Sequence, residues 1–307
     1  MSGRVVVDAG FAEPLDRLSR DLRTSAVNLT INEVRYLVNL YFTMQENRKS
    51  MSLRSMALGK MKQPHEMIDF FGDNFAKLER TIKNALSAYM QKTNHPAMAW
   101  LRTVSGVGPV IACGLFSEIK IERAHTAGSL WRYAGLDPTI VWNKGQKRPF
   151  NAELKLICYY ASDAFVKQGN FYRMHYAVYR DYMEKKNARG DYAELAQENA
   201  LKFKWAENTV PYKMAMQGKL ADSAIFAMSR RWVVKLFLAH LHAIWRKEEG
   251  LHVPEPYAVA HLGHGHIIEP VYDDHEVEYW TEADKEAARD LQLKKRVAFE
   301  KSKQGER

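Results

Sequence analysis

Apolar positions recur at helical spacing along nearly the whole chain after residue 28, which predicts a mostly α fold. Thr30-Ile31-Asn32-Glu33 reads as a capping box, in which Thr30 and Glu33 exchange side-chain-to-backbone hydrogen bonds at a helix start. It opens a helix expected to run to about Ala57, with Val34, Leu37, Val38, Tyr41 and Met44 or Gln45 forming one stripe. A second helix, from about His65 to Gln91, places Ile68, Phe71, Phe75, Leu78, Ile82 and Leu86 on its apolar face. Joined by Gly59 to Pro64, the two predict a long antiparallel helical hairpin.

His95-Pro96 interrupts the pattern and sets an expected boundary near residue 95. Helices are then predicted over 97–104, 109–119, 126–135, 151–168, 170–188, 191–205 and 221–248, with Asn170 and Asp191 as caps. Pro254, Pro256, Gly263, Gly265 and Pro270 predict an extended loop between about 249 and 280. Thr281 with Asp284 starts a charged terminal helix.

Composition adds a partner class to this helical picture. With 307 residues and 46% hydrophobic, the chain can bury a substantial core. A net charge of +9 and a pI near 9.3 favour a polyanionic partner without distinguishing DNA from RNA or acidic lipid. Residues 142–236 hold 17 Lys and Arg against 9 Asp and Glu, whereas 269–286 hold 8 acids and one base, so the first stretch is the candidate contact region. No run approaches the roughly 18 apolar residues of a membrane span, and no charged-then-apolar leader opens the chain. Cys113 and Cys158 lie in apolar helical patterns, as small hydrophobes do. A soluble, cytoplasmic protein is expected.

The most informative motif is Ser105-Gly106-Val107-Gly108-Pro109, a two-glycine turn between short helices. Glycine lets backbone approach a phosphate closely, and Pro109 suits a first helical position. The amides there form an anion site supported by the helix dipole. Ser105, Gly106, Val107 and Gly108 are therefore candidate nucleic-acid-binding residues.

Further candidates lie in Trp142-Asn143-Lys144-Gly145-Gln146-Lys147-Arg148-Pro149-Phe150, a basic turn with an aromatic residue at each end. Lys144, Gly145, Lys147 and Arg148 suit phosphate contact while an aromatic ring stacks on a base; a solvated loop fits the same residues. Arg230 and Lys235, beside Trp232, Val233 and Leu236, offer a basic helix face that either reaches nucleic acid or faces solvent. Tyr172, Tyr176, Tyr179 and Tyr182 recur along one helix, a pattern of core or subunit packing more than of base stacking. His261, His264 and His266 have the close spacing of a metal loop, although imidazoles bonded to backbone or facing the acidic stretch after Glu269 are the favoured reading; His240, His242 and His252 precede them. No nucleotide-binding fingerprint or Ser-His-Asp order is present.

The ordered series of Ser105 to Pro109, Leu115-Phe116-Ser117-Glu118-Ile119, Leu130-Trp131-Arg132-Tyr133-Ala134-Gly135-Leu136-Asp137-Pro138, the basic turn and the helix after it resembles a known family. Over roughly residues 98–190 the chain is similar to the C-terminal, helix-hairpin-helix half of the DEDD-type insertion-sequence transposases, the serine-using class guided by a bridge RNA. That family carries an N-terminal RuvC-like domain with acidic metal ligands and a nucleophilic serine shortly after the Gly-Leu-x-Pro segment. Here Asn143 or Lys144 stands where the serine is expected, and Thr139, the nearby hydroxyl, lies too close to Pro138. Val5-Val6-Val7-Asp8 resembles the first strand and acid of a RuvC-like domain, but the strands that should follow are not recognisable.

The resemblance thus implies a DNA-binding, transposase-related chain of mobile-element or phage origin, leaning away from catalysis. DNA, including branched DNA, is the expected partner, with structured RNA as the open alternative and no membrane. An active recombinase or metal-dependent nuclease is the enzymatic alternative. No cofactor is expected, and a divalent metal only if the chain is catalytic. The expected organisation is residues 1–95 as the helical hairpin and homo-oligomerisation region, 96–250 as the helix-hairpin-helix DNA-binding domain, and 251–307 as a His-rich loop, acidic stretch and charged helix.

Overall fold

The computed structural model describes Asp21 and residues 23–143, 145–255 and 267–275. Asp8, Lys144, His261, His264, His266 and the terminal helix expected from Thr281 lie outside the described residues. The fold is mostly α, with no strand among the described residues.

Helix α1 (Ile31–Lys60) starts at the expected capping box: the Thr30 amide donates to Glu33 Oε2 at 2.7 Å, and the Glu33 amide returns a bond to Thr30 Oγ1 at 3.3 Å. Helix α2 (Glu66–Lys92) follows. Then come α3 (Pro96–Thr103), α4 (Pro109–Glu118), α5 (Ala127–Tyr133), α6 (Ala152–Gln168), α7 (Phe171–Ala188), α8 (Ala193–Phe203), α9 (Val210–Met216) and α10 (Asp222–Glu248). Helix α9 is not anticipated by the apolar pattern, because it is only two turns long; Thr209 followed by Pro211 in the first turn is its one local signal.

The chain divides into two compact units. The first comprises the described residues of Met1–Arg102, Val107–Ala161 and Lys235–Glu269; the second comprises those of Thr103–Gly106, Ser162–Val234 and Pro270–Arg307.

In the first unit α1 and α2 pack together and both rest on α4. Their contacts descend one helix as they climb the other: Ser55 donates to Asp69, Met51 faces Gly72, and Arg48 pairs with Glu79. That order makes the pair antiparallel. Gly114 is where α4 admits its neighbours most closely, since a Cβ there would lie 2.7 Å from Ile157 Cδ1 and 3.4 Å from Val38 Cγ1. Trp100 stacks on Phe237 at 5.7 Å and Phe116 on Trp245 at 5.1 Å, completing the aromatic part of this core. Burial in the helical hairpin is confined to one end: Val34 and Val38 of α1, and Ile82 to Met90 of α2. Farther along, Leu53, Met56, Met67 and Phe71 are exposed.

The second unit packs Met183, Ala196, Ala200, Ala215, Leu220 and Ile225 into one cluster, joining α7, α8, α9 and the start of α10. Tyr172 is buried and stacked on Phe165 at 4.7 Å, Tyr176 is buried, and Tyr179 lies flat on Trp232 at 4.4 Å. Three of the four tyrosines of α7 therefore pack as core aromatics, and Tyr182 stays exposed.

Both cysteines are buried, and burial pushes each thiol up to about 12. Neither is expected to react with an alkylating reagent near about pH 8 in the folded protein, where the thiolate is a minute fraction of the population. Both should label once denaturant opens the helices. Mass spectrometry of native and unfolded samples checks this, and labelling of either cysteine at a free-thiol rate in the native sample would contradict it.

Candidate nucleic-acid interface

The two-glycine turn contributes to both units, and each part has its own surroundings. In the second unit Gly106 adopts φ +90°, with a built Cβ lying 3.3 Å from the Ala164 carbonyl oxygen, so glycine is required by backbone conformation and space together. Ser105 is buried, and its amide is already engaged: it donates to Asp274 Oδ2 at 2.9 Å, while its hydroxyl lies 3.1 Å from His275 Nδ1.

Asp274 is fully buried and takes a second backbone amide, that of Phe171, on Oδ1 at 2.9 Å. Its carbonyl oxygen accepts from Asn170 Nδ2 at 2.9 Å. The Asn170 side chain makes no cap bond to α7, contrary to expectation; Asp274 supplies one from another part of the chain. A carboxylate at the first amide of α7 also meets the positive end of the helix dipole. The Tyr172 hydroxyl is pushed well above its ordinary range, first by burial and then by the charge of Asp274. Asp191 likewise caps nothing: Tyr192 precedes α8, and Asp191 pairs with Arg189 at 3.0 Å.

In the first unit Val107 is buried and anchors the turn, and Gly108 is the N-cap of α4 with Pro109 as first residue. Gly108 has ordinary extended backbone at φ −84°, and a Cβ there would meet nothing within 4 Å. There is thus room for a side chain at the half-exposed N-cap of α4.

The basic turn belongs to the same unit. The Gln146 amide donates to the Asn143 carbonyl at 3.1 Å, Gly145 takes φ +92°, and the Trp142 indole N–H donates to the Gln146 carbonyl at 2.9 Å. Gly145, Lys147 and Arg148 are exposed, and the Arg148 guanidinium stands 5.6 Å from the Trp142 ring centre. The turn is tied down at its far end by Asn151, which the sequence does not single out. The Asn151 side chain donates to Glu118 at 2.7 Å and to the Tyr133 hydroxyl at 2.9 Å, and its Oδ1 caps α6 by accepting from the Leu154 amide. Glu118 is held in turn by Arg35 at 2.9 Å.

Arg230 and Lys235 differ. Arg230, only 7% exposed, donates from Nε to Ser162 at 3.1 Å, faces Asp163 at 3.8 Å and lies over the Phe226 ring. Lys235 is half-buried with its ammonium 4.2 Å from the Trp131 ring centre, and its carbonyl accepts from the Trp131 indole. Among the described histidines, His240 and His242 bond to the carbonyls of Ile268 and Ala124, each at 2.7 Å. Burial holds the His242 imidazole below its usual range. Among the described residues no group of His, Cys, Asp and Glu is placed to hold a metal, and no helix is long and apolar enough to cross a membrane.

The turn, α4, α5 and the start of the basic loop coincide with a known sequence family: the model of the IS116/IS110/IS902 transposase family matches residues 98–142. Residues 98–142 are a transposase-related region. No curated protein and no solved structure matches the chain. The transposase-related region thus begins in α3, holds the start of α4 and ends on Trp142, at the threshold of the basic turn.

Proposed function

We propose that this chain binds DNA through its transposase-related region, as a protein of mobile-element or phage origin. The carrying observation is that the family match falls on the two-glycine turn, whose Gly108 is the half-exposed N-cap of α4 with room in front of it for a further group. Support comes from the exposed Lys147 and Arg148 in the same unit and from the net charge of +9. In this reading Val107 shapes the turn from inside, Gly108 and the α4 amides meet phosphate, and the basic turn adds further backbone contacts. Lys235 contributes charge from its place on Trp131. Ser105 and Arg230 act through structure, given their internal partners. The exposed apolar residues of α1 and α2 support self-association of the helical hairpin. The lineage we favour is the DEDD class suggested by the Leu130 to Pro138 segment, with binding retained and the serine chemistry absent.

The test is duplex binding measured across about 50–200 mM salt. At Gly108 the backbone is ordinary and a Cβ meets nothing within 4 Å, so Gly108→Glu is expected to fold and to put a negative charge at the α4 start, which circular dichroism checks first. It is expected to weaken binding about tenfold or more, and Lys147→Glu with Arg148→Glu should also flatten the salt dependence by about one unit of slope for each phosphate no longer neutralised. Unchanged affinity in folded Gly108→Glu protein would overturn the hairpin reading. Binding of the native protein that is abolished by RNase and untouched by DNase would replace DNA with RNA.

A further inference from the structure

We infer that Trp142 is a stacking platform for an unpaired base, so that the basic turn engages DNA at a single-stranded or flipped-out nucleotide. This rests on the DNA-binding reading and narrows its substrate.

Trp142 is 39% exposed, next to Val141 at 83%, on a loop that also exposes Lys147 and Arg148. The indole helps to close the turn, but that role does not call for a ring left 39% exposed among cations, since tryptophan is normally highly buried. Its one polar atom is already satisfied inside the turn, by the Gln146 carbonyl. What the side chain offers outward is therefore a π surface and not a hydrogen bond. The bond from Gln146 to Asn143 and the positive φ of Gly145 close the turn, so the ring is held before any ligand arrives. The Arg148 guanidinium, planar and cationic, lies over the ring and places positive charge close to any base that stacks there. Lys155 over Phe150, at 4.3 Å, repeats the cation-on-ring arrangement at the other end of the loop.

A rigid aromatic face flanked by cations matches a nucleotide, whose base stacks while its phosphate meets the charge. Bases within a duplex are stacked on each other and offer no free face to a loop. Only an unpaired or extruded base can lie on Trp142. Stacking on the indole uses only the face of the base, so this contact is expected to tolerate any base.

The experiment compares the full chain, native and Trp142→Ala, on a paired duplex and on the same duplex with a short gap carrying 2-aminopurine. Native protein should bind the gapped DNA more tightly and quench the probe. Trp142→Ala should lose about tenfold on gapped DNA, less than about twofold on duplex, and the quenching. Trp142→Phe keeps a ring but not the bond to Gln146, and should retain most of the gapped-DNA affinity. Equal losses on both substrates, or no preference by native protein, would overturn the inference while leaving DNA binding in place. Failure of native protein to bind either substrate would overturn both.

Discussion

Replacing Asp274 with alanine is expected to destabilise the second unit by about 3–5 kcal/mol, because a charged acceptor serving two buried amides is removed at once. The Ser105 and Phe171 amides both end on this carboxylate at 2.9 Å, and Asp274 has no exposed surface. Alanine leaves both donors unpaired where water does not reach, and it removes the negative charge from the first turn of α7. Asp274→Asn should fall between: its carbonyl oxygen can still accept one amide, but its NH2 group confronts the other donor. Denaturant unfolding of the three proteins checks the order. A loss below about 1 kcal/mol for Asp274→Ala would show that the amides find other partners.

This carboxylate also marks the limit of what local sequence encodes. Helix starts set by local chemistry are legible: the Thr30 capping box and Pro109 after Gly108 fall where expected, because each uses residues within one turn. Asn170 reads equally well as a cap, yet its side chain turns to the Asp274 carbonyl while the carboxylate caps α7. Nothing local distinguishes an asparagine that caps its own helix from one that tethers a distant segment. Within the acidic stretch, likewise, nothing separates the buried Asp274 from the exposed Asp273.

The candidate site shows the same division. Gly106 and Gly108 look equivalent in the sequence, but only Gly106 needs a positive φ, whereas Gly108 matters for the space in front of it. Arg230 and Arg231 are adjacent bases on α10, and a rotation of one residue sends Arg230 inward to Ser162 and leaves Arg231 exposed. By charge alone the two are alike. Trp131 and Trp142 are visible in the sequence as aromatics, but the stacking of Lys235 on the first and Arg148 on the second follows from tertiary packing and turn closure.

Gly135→Ala is expected to destabilise the first unit by about 2–4 kcal/mol and to loosen the basic turn, through left-handed strain and overpacking together. Gly135 has φ +66° at the end of α5, where the amides of Gly135 and Leu136 return to the carbonyls of Arg132 and Trp131. A Cβ there would lie 2.8 Å from Phe150 Cδ2 and 2.9 Å from its Cγ. Phe150 cannot simply swing aside. The Lys155 ammonium covers its ring, and the Asn151 amide beside it donates to the Tyr133 carbonyl at 2.9 Å. The ring is thus the latch that brings residue 150 back to the end of α5, with the whole basic turn looped between. Gly145 supplies the internal control, since its φ is also positive but nothing surrounds it, so Gly145→Ala should show only the strain, about 1–2 kcal/mol. Tryptic cleavage after Lys147 should accelerate more in Gly135→Ala than in Gly145→Ala, because only the former frees both ends of the loop; Pro149 protects the bond after Arg148 in both. Equal destabilisation of the two variants would mean that Phe150 yields without cost, and that the turn is held by Asn151 alone.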